Sequence, residues 1–103
     1  MAKVYKSNSH IQGIGLFAKV AIDEGDLVGK YKGRRTNKDG KHVLWVYMEH
    51  SDEYIPHKIF NLMRYANHSE SPNTEVVGLE MYALKDIAKD EEITFNYGDE
   101  CGF

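Results

Sequence analysis

The chain has 103 residues, 42% of them hydrophobic, and a formal net charge of −3. That length carries one domain, residues 1–103, with a modest core, and the chain is too apolar to be a disordered tail. The acidic balance predicts no basic field for nucleic acid or an anionic membrane. The apolar runs are too short to span a bilayer, and Met1–Lys6 lacks the apolar stretch of a signal peptide, so a soluble intracellular protein is expected.

Strand-type runs follow one another at short intervals. Lys3–Lys6 is the first. Gly15–Ala18 and Leu27–Tyr31 are the next two, joined across Asp23-Glu24-Gly25-Asp26, which has turn chemistry. Lys38-Asp39-Gly40-Lys41 carries the strongest hairpin signal, because Asp-Gly takes the positive φ that a tight hairpin needs. It leads into His42–Glu49, an apolar, β-branched and aromatic run holding Trp45 and Tyr47. Ile59, Leu62, Met63 and Ala66 stand at helical spacing and predict a short helix before Asn67. Thr74–Val77 and Met81–Lys85 read as strands around Gly78, and Glu92–Tyr97 as the last. Many short strands and one short helix predict a mainly β fold.

Several groups of residues invite a chemical reading. In Gly13-Ile14-Gly15-Leu16-Phe17-Ala18, two glycines one residue apart make either a plain turn or a backbone that a ligand can approach closely. No third glycine follows and a strand comes next, which excludes a dinucleotide fingerprint. Tyr31-Lys32-Gly33, taken alone, is an interior strand aromatic before a turn. Asn67-His68-Ser69 sets amide, imidazole and hydroxyl side by side, and a Pro-Asn turn follows at Pro72-Asn73. His10, His42, His50, His57 and His68 have no ligand-like spacing, and Cys101 is the single cysteine, so no metal site and no internal disulfide are expected.

Residues 61–73 read N-L-M-R-Y-A-N-H-S-E-S-P-N, and residues 92–98 read E-I-T-F-N-Y-G. The pair resembles the two signature motifs of SET-domain protein-lysine methyltransferases, R-F/Y-x-N-H-S-x-x-P-N and E-I/L-T-F/V-x-Y-G. The run from Gly13 to Ala18 is similar to the family's opening G-x-G-L/V/I-F-A, and Tyr31-Lys32-Gly33 to its Y-x-G. Four motifs in the right order carry the resemblance from Gly13 to Asp99.

The resemblance implies a SET-domain fold of several small curved sheets, one short helix and a C-terminal segment threaded through an earlier loop. Threading is rare, and nothing in the periodicity predicts it. The resemblance further implies S-adenosylmethionine as cofactor. It assigns Gly13, Ile14, Gly15, Leu16, Arg64, Asn67, His68 and Tyr97 to that ligand. Asn67 and His68 supply the donors and acceptors that adenine and a zwitterionic amino acid require. Tyr97 becomes the catalytic residue. Tyr31 and Phe95 line the channel of the target lysine, which Phe103 or a second subunit completes. Arg64 would pair with Glu92 and join the two motifs.

The implied substrate is a lysine of a protein such as a histone-like tail. Small standalone viral and bacterial members are most similar, some acting as homodimers, so a bacterial cytoplasm or a host nucleus is implied. The chain departs from the family in having only 27 residues between Gly33 and Asn61, and in lacking the cysteines that hold zinc in flanking segments. These departures leave an alternative, a SET-like module that binds a peptide or protein partner without turnover.

Overall fold

The computed structural model describes residues 2–38, 40–48 and 51–98. Among these, ten short strands form three small sheets. The first sheet contains β1 (Val4–Asn8), β2 (Ile14–Ala18), β10 (Glu92–Phe95) and β7 (Asn67–His68), in the order β1-β2-β10-β7. The second contains β3 (Leu27–Lys30), β9 (Glu80–Ala83) and β8 (Thr74–Val77), in the order β3-β9-β8. The third contains β4 (Gly33–Arg35), β6 (Glu53–Ile59) and β5 (Val43–Met48), in the order β4-β6-β5. Every pairing is antiparallel except β7 with β10. No helix among the described residues is long and apolar enough to cross a membrane.

Each sheet turns one apolar face inward. Leu16 and Ile93 come from the first sheet, Met81 from the second and Ile59 from the third, and all are fully buried. Met63 and Ala66 fill the space between them. Ile22 and Ile87 exchange two backbone hydrogen bonds, of 2.9 and 2.8 Å, and so tie two long loops over the same core.

The expected helix is a single 3-10 turn, Leu62–Tyr65, in which only Met63 is buried. Ile59 ends β6 and Ala66 is extended, so the helical spacing of the apolar residues reflects a chain bending around the core. The hairpin expected at residues 38–41 is corrected by the sheet order. The strands before and after it, β4 and β5, are not neighbours, because β6 lies between them. Asp39 itself lies outside the described residues. The hairpin that does form joins β5 to β6, with Met48 opposite Glu53. β8 and β9 make the second tight hairpin, where Gly78 takes a φ of +62°.

β10 is held on both edges. It is antiparallel to β2 on one edge and parallel to β7 on the other, with Thr94 opposite Asn67 and Phe95 opposite His68. Ser69 donates its amide to the Phe95 carbonyl at 3.2 Å. Asn73, buried, accepts from the Thr94 amide at 2.9 Å and donates to the Glu92 carbonyl at 2.8 Å. The Thr74 hydroxyl reaches the Thr94 carbonyl at 2.6 Å. Residues 67–74 therefore clasp this strand through its edge and its carbonyls, the kind of grip that a threaded C-terminal segment requires.

Candidate functional site

The clasp brings the two signature runs to one place. Beyond the end of β10 the chain turns, and the Tyr97 amide donates to Nδ1 of His68 at 3.0 Å. Nδ1 can accept only if it carries no proton, so the bond selects the tautomer with hydrogen on Nε2. Nε2 in turn faces the Glu70 carboxylate at 3.4 Å. The Tyr97 hydroxyl donates to the Ala66 carbonyl at 2.6 Å. Its ring lies between His68, centroids 5.2 Å apart, and Phe95, 4.9 Å apart. Backbone, ring and hydroxyl of Tyr97 are thus each fixed by residues 66–68 or by Phe95.

Phe95 and Tyr97 form one end of a groove of about 620 Å³. Its other walls are Trp45, Tyr47 and Tyr54 from the β5–β6 hairpin and Glu75, Val76 and Val77 from β8. Phe95 is buried and packs edge-on against Tyr31, whose ring lies beneath it in the core at 6.4 Å. Of the residues expected at the lysine channel, Phe95 borders the groove and Tyr31 supports it from below. Phe103 lies outside the described residues. The sequence reading noted Trp45 and Tyr47 only as strand aromatics and did not single out Tyr54 or Glu75. The one signal for Trp45, Tyr47 and Tyr54 is that they stand on two neighbouring runs with aromatics on both.

The glycine run sits on the opposite side of the Asn67 side chain. Asn67 Nδ2 lies 3.0 Å from Ser9 Oγ, 3.1 Å from the Gln12 carbonyl and 3.1 Å from Glu92 Oε2. Glu92 also accepts from Ser9 Oγ at 2.6 Å and from the His10 amide at 3.2 Å. The segment 9–14 is thereby anchored to both motifs. Gly13 has a φ of +52°, and a Cβ there would meet nothing within 4 Å, so its backbone is open to approach. Gly15 differs, because a Cβ there would stand 2.5 Å from Glu92 Oε2. Ile14 is exposed, whereas Leu16 is buried whole, in a strand paired with Lys6 on one side and Ile93 on the other, so the fold leaves it no surface for a ligand.

One expectation fails on geometry. Arg64 does not pair with Glu92. Its guanidinium donates to the Phe60 and Asn61 carbonyls at 2.8 and 2.9 Å and to the Tyr65 hydroxyl at 2.8 Å. The 3-10 turn aims it back along its own segment, while Glu92 is taken by Ser9, His10 and Asn67. The sequence reading missed Ser9 and the buried Asn73. Both are small polar residues next to turns, where such residues are common for purely local reasons.

Comparison with known proteins agrees with the architecture. Residues 13–98 match the SET domain family, and the chain belongs to that family. Among curated relatives, the histone-lysine N-methyltransferase EZH2 of Chaetomium thermophilum is 32% identical, covering 91% of this chain. The human histone-lysine N-methyltransferase 2B is 33% identical over the same share. The chain spans 8% of the length of the first and 4% of the second. The match to EZH2 runs over 122 aligned positions, more than the 103 residues here, so that relative carries extra residues within the matched span. Among solved structures, ctPRC2 in an autoinhibited conformation bound to S-adenosylmethionine aligns with a TM-score of 0.77. It is 28% identical, over 100% of this chain and 16% of that chain.

Proposed function

We propose that this domain is an S-adenosylmethionine-dependent protein-lysine N-methyltransferase. The observation that carries the proposal is the setting of Tyr97, fixed by His68 and Ala66 at the end of an aromatic groove. The ligand named in the ctPRC2 structure supports the choice of cofactor. The donor set here suits it. Gly13 exposes backbone, and the Asn67 Oδ1 accepts from none of the described residues, which leaves it for an ammonium group. We assign the cofactor to Gly13, Ile14, Gly15, Asn67 and His68. When bound, S-adenosylmethionine supplies an electrophilic methyl group on a sulfonium.

The residues of the chain then have three tasks. First, the attacking lysine must be neutral, which costs roughly 4 kcal/mol at pH 7.4 for a pKa near 10.4. Burial against Phe95 at the groove end strips water from the amine, which disfavours its charged form. Second, the amine must be aligned. The Tyr97 hydroxyl gives its proton to Ala66, so toward the amine its oxygen would act as an acceptor rather than as a donor. A phenol near pKa 10 is a poor general base at neutral pH, so orientation is its role. Third, the substrate backbone must be held. β8 is an edge strand of its sheet and lines the groove, which suits an extended peptide added alongside it, and Glu75 suits a basic one.

Calorimetry with S-adenosylmethionine and methyl transfer to a mixed protein extract test the proposal together. Wild type should bind and transfer. Tyr97→Phe should bind within a few fold of wild type and lose most transfer. Absence of binding in the folded wild-type protein would leave the non-catalytic module as the better description.

A further inference from the structure

The net charge of −3 hides a segregation. Residues 30–41 carry Lys30, Lys32, Arg34, Arg35, Lys38 and Lys41 against Asp39 alone, whereas residues 65–103 carry nine acidic side chains against Lys85 and Lys89. Averaged charge is a poor guide when the field decays over a Debye length of about 8 Å.

The fold brings two of these cations, Arg34 and Lys41, together with Lys58 of β6, Arg64 of the 3-10 turn and Lys6 of β1. Arg34 stands directly opposite Lys58 across the β4–β6 ladder, so the two side chains share a face. Lys58 Nζ donates to the Lys41 carbonyl at 2.9 Å. The Arg64 guanidinium lies over the Tyr65 ring, 4.4 Å from its centroid, and Lys6 Nζ lies 5.3 Å from the same centroid. His42 meets Tyr65 edge-on at 6.1 Å, and the charges acting on it are Lys41, Arg64 and Lys58. Lys6, Arg34, Lys41, Lys58 and Arg64 therefore make one positive field around His42 and Tyr65. None of the five forms an ion pair among the described residues, where the pairs are Lys30–Glu80 and His68–Glu70. Hydrogen bonds and the Tyr65 ring hold these side chains in place, but among the described residues no carboxylate neutralises the five, so their charges repel one another.

We propose that this face binds the phosphate backbone of a nucleic acid. A polyphosphate strand is a line of single negative charges a few ångströms apart, which a row of unpaired lysines and arginines matches. An acidic protein surface would match the charge equally. The aromatic component decides between them: Phe60 is 57% exposed, and its backbone carbonyl accepts from Arg64 at 2.8 Å, so an exposed aromatic residue adjoins the cations in the chain. Cations beside an exposed ring favour phosphates with stackable bases between them. The groove at Tyr97 is lined by other residues, so this surface is separate from the proposed site of methyl transfer.

Fluorescence anisotropy of the whole chain, without S-adenosylmethionine, tests the proposal independently of any methyl transfer. The probes are labelled single-stranded and duplex DNA of about 20 nucleotides. Poly-L-glutamate of equal charge is the competitor. Binding of either DNA is expected, falling with salt at a log–log slope of about −2 to −4, as a few displaced counterions require. Arg34→Gln with Lys58→Gln should weaken binding about tenfold and make the slope shallower by about 1–2. Should that pair not fold, Lys6→Gln with Lys41→Gln reads the same field from two other exposed positions. Three outcomes would overturn the proposal: no DNA binding at about 50 mM salt, folded variants that bind as wild type does, or poly-L-glutamate competing as well as DNA per charge.

Discussion

At Tyr97, three separate contacts do what one motif letter suggests. The amide is held by an imidazole, the hydroxyl by a carbonyl and the ring by Phe95. The motif tyrosine and the Asn-His pair were legible in sequence because they are consecutive letters in fixed runs. The contacts that orient them were not, since Ala66 acts through its backbone and Asn73 through a buried amide that reads as a turn residue. Phe95 gives this scale its prediction. It is buried, borders the groove and touches both Tyr31 and Tyr97. A methylated amine must rotate about its C–N bond to present its lone pair again, so free space beside it governs later rounds. Wild type should therefore proceed beyond one methyl group, and Phe95→Tyr should shift product toward monomethyl-lysine. Mass spectrometry of a methylated peptide checks this, and an unaltered product ratio would refute it.

Among the elements, strands with clear β residues and clean turns were legible. Thr74–Val77 lies where the sequence placed it, and β2, β3, β5, β9 and β10 begin within one residue of expectation. β6 was not foreseen. It contains Pro56 yet is the central strand of its sheet, a place where proline is usually excluded. The resolution lies in register. The last β4 pair is Arg35 with His57, so Pro56 sits one residue past the end of β4, and only its carbonyl is used there, by the Thr36 amide at 3.0 Å. Two glycines on these sheets separate hard from soft contacts. A Cβ at Gly33 would meet the Lys58 carbonyl oxygen at 2.6 Å, while one at Gly29 would meet the Met63 sulfur at 2.8 Å. Backbone cannot yield, but a thioether side chain can rotate. Gly33→Ala should cost about 1–3 kcal/mol and Gly29→Ala clearly less. Urea midpoints of the two variants decide it, and equal losses would show that the methionine is as fixed as the strand.

Across the whole molecule, charge is segregated, and His42 reports it. Burial, then Lys41, Arg64 and Lys58, hold its pKa below the usual 6.5, so the folded state favours the neutral ring. The unfolded chain takes up the proton first as pH falls. Stability is thus fully present above about pH 6.5 and declines as pH drops from there through the folded-state value. His42 has a φ of +62°, which asparagine also tolerates, so His42→Asn removes the titration without forcing the backbone. Its urea midpoint should fall less between neutral and mildly acid pH than that of wild type. Parallel curves would deny the positive field around His42.

The central position of β10 also sets an order of events. The strand that joins β2 to β7 is residues 92–95, near the end of this sequence, while its two neighbours are residues 14–18 and 67–68. During synthesis β2 emerges long before the strand that will cover its open edge. For most of the time the domain is being made, from residue 18 to residue 92, one edge of β2 stands open. Unpaired edges of that kind recruit other chains. The newborn domain is therefore exposed to misassembly until the ribosome releases the same residues that carry Tyr97 to the groove. Completion of the sheet and of the candidate site arrives in one step.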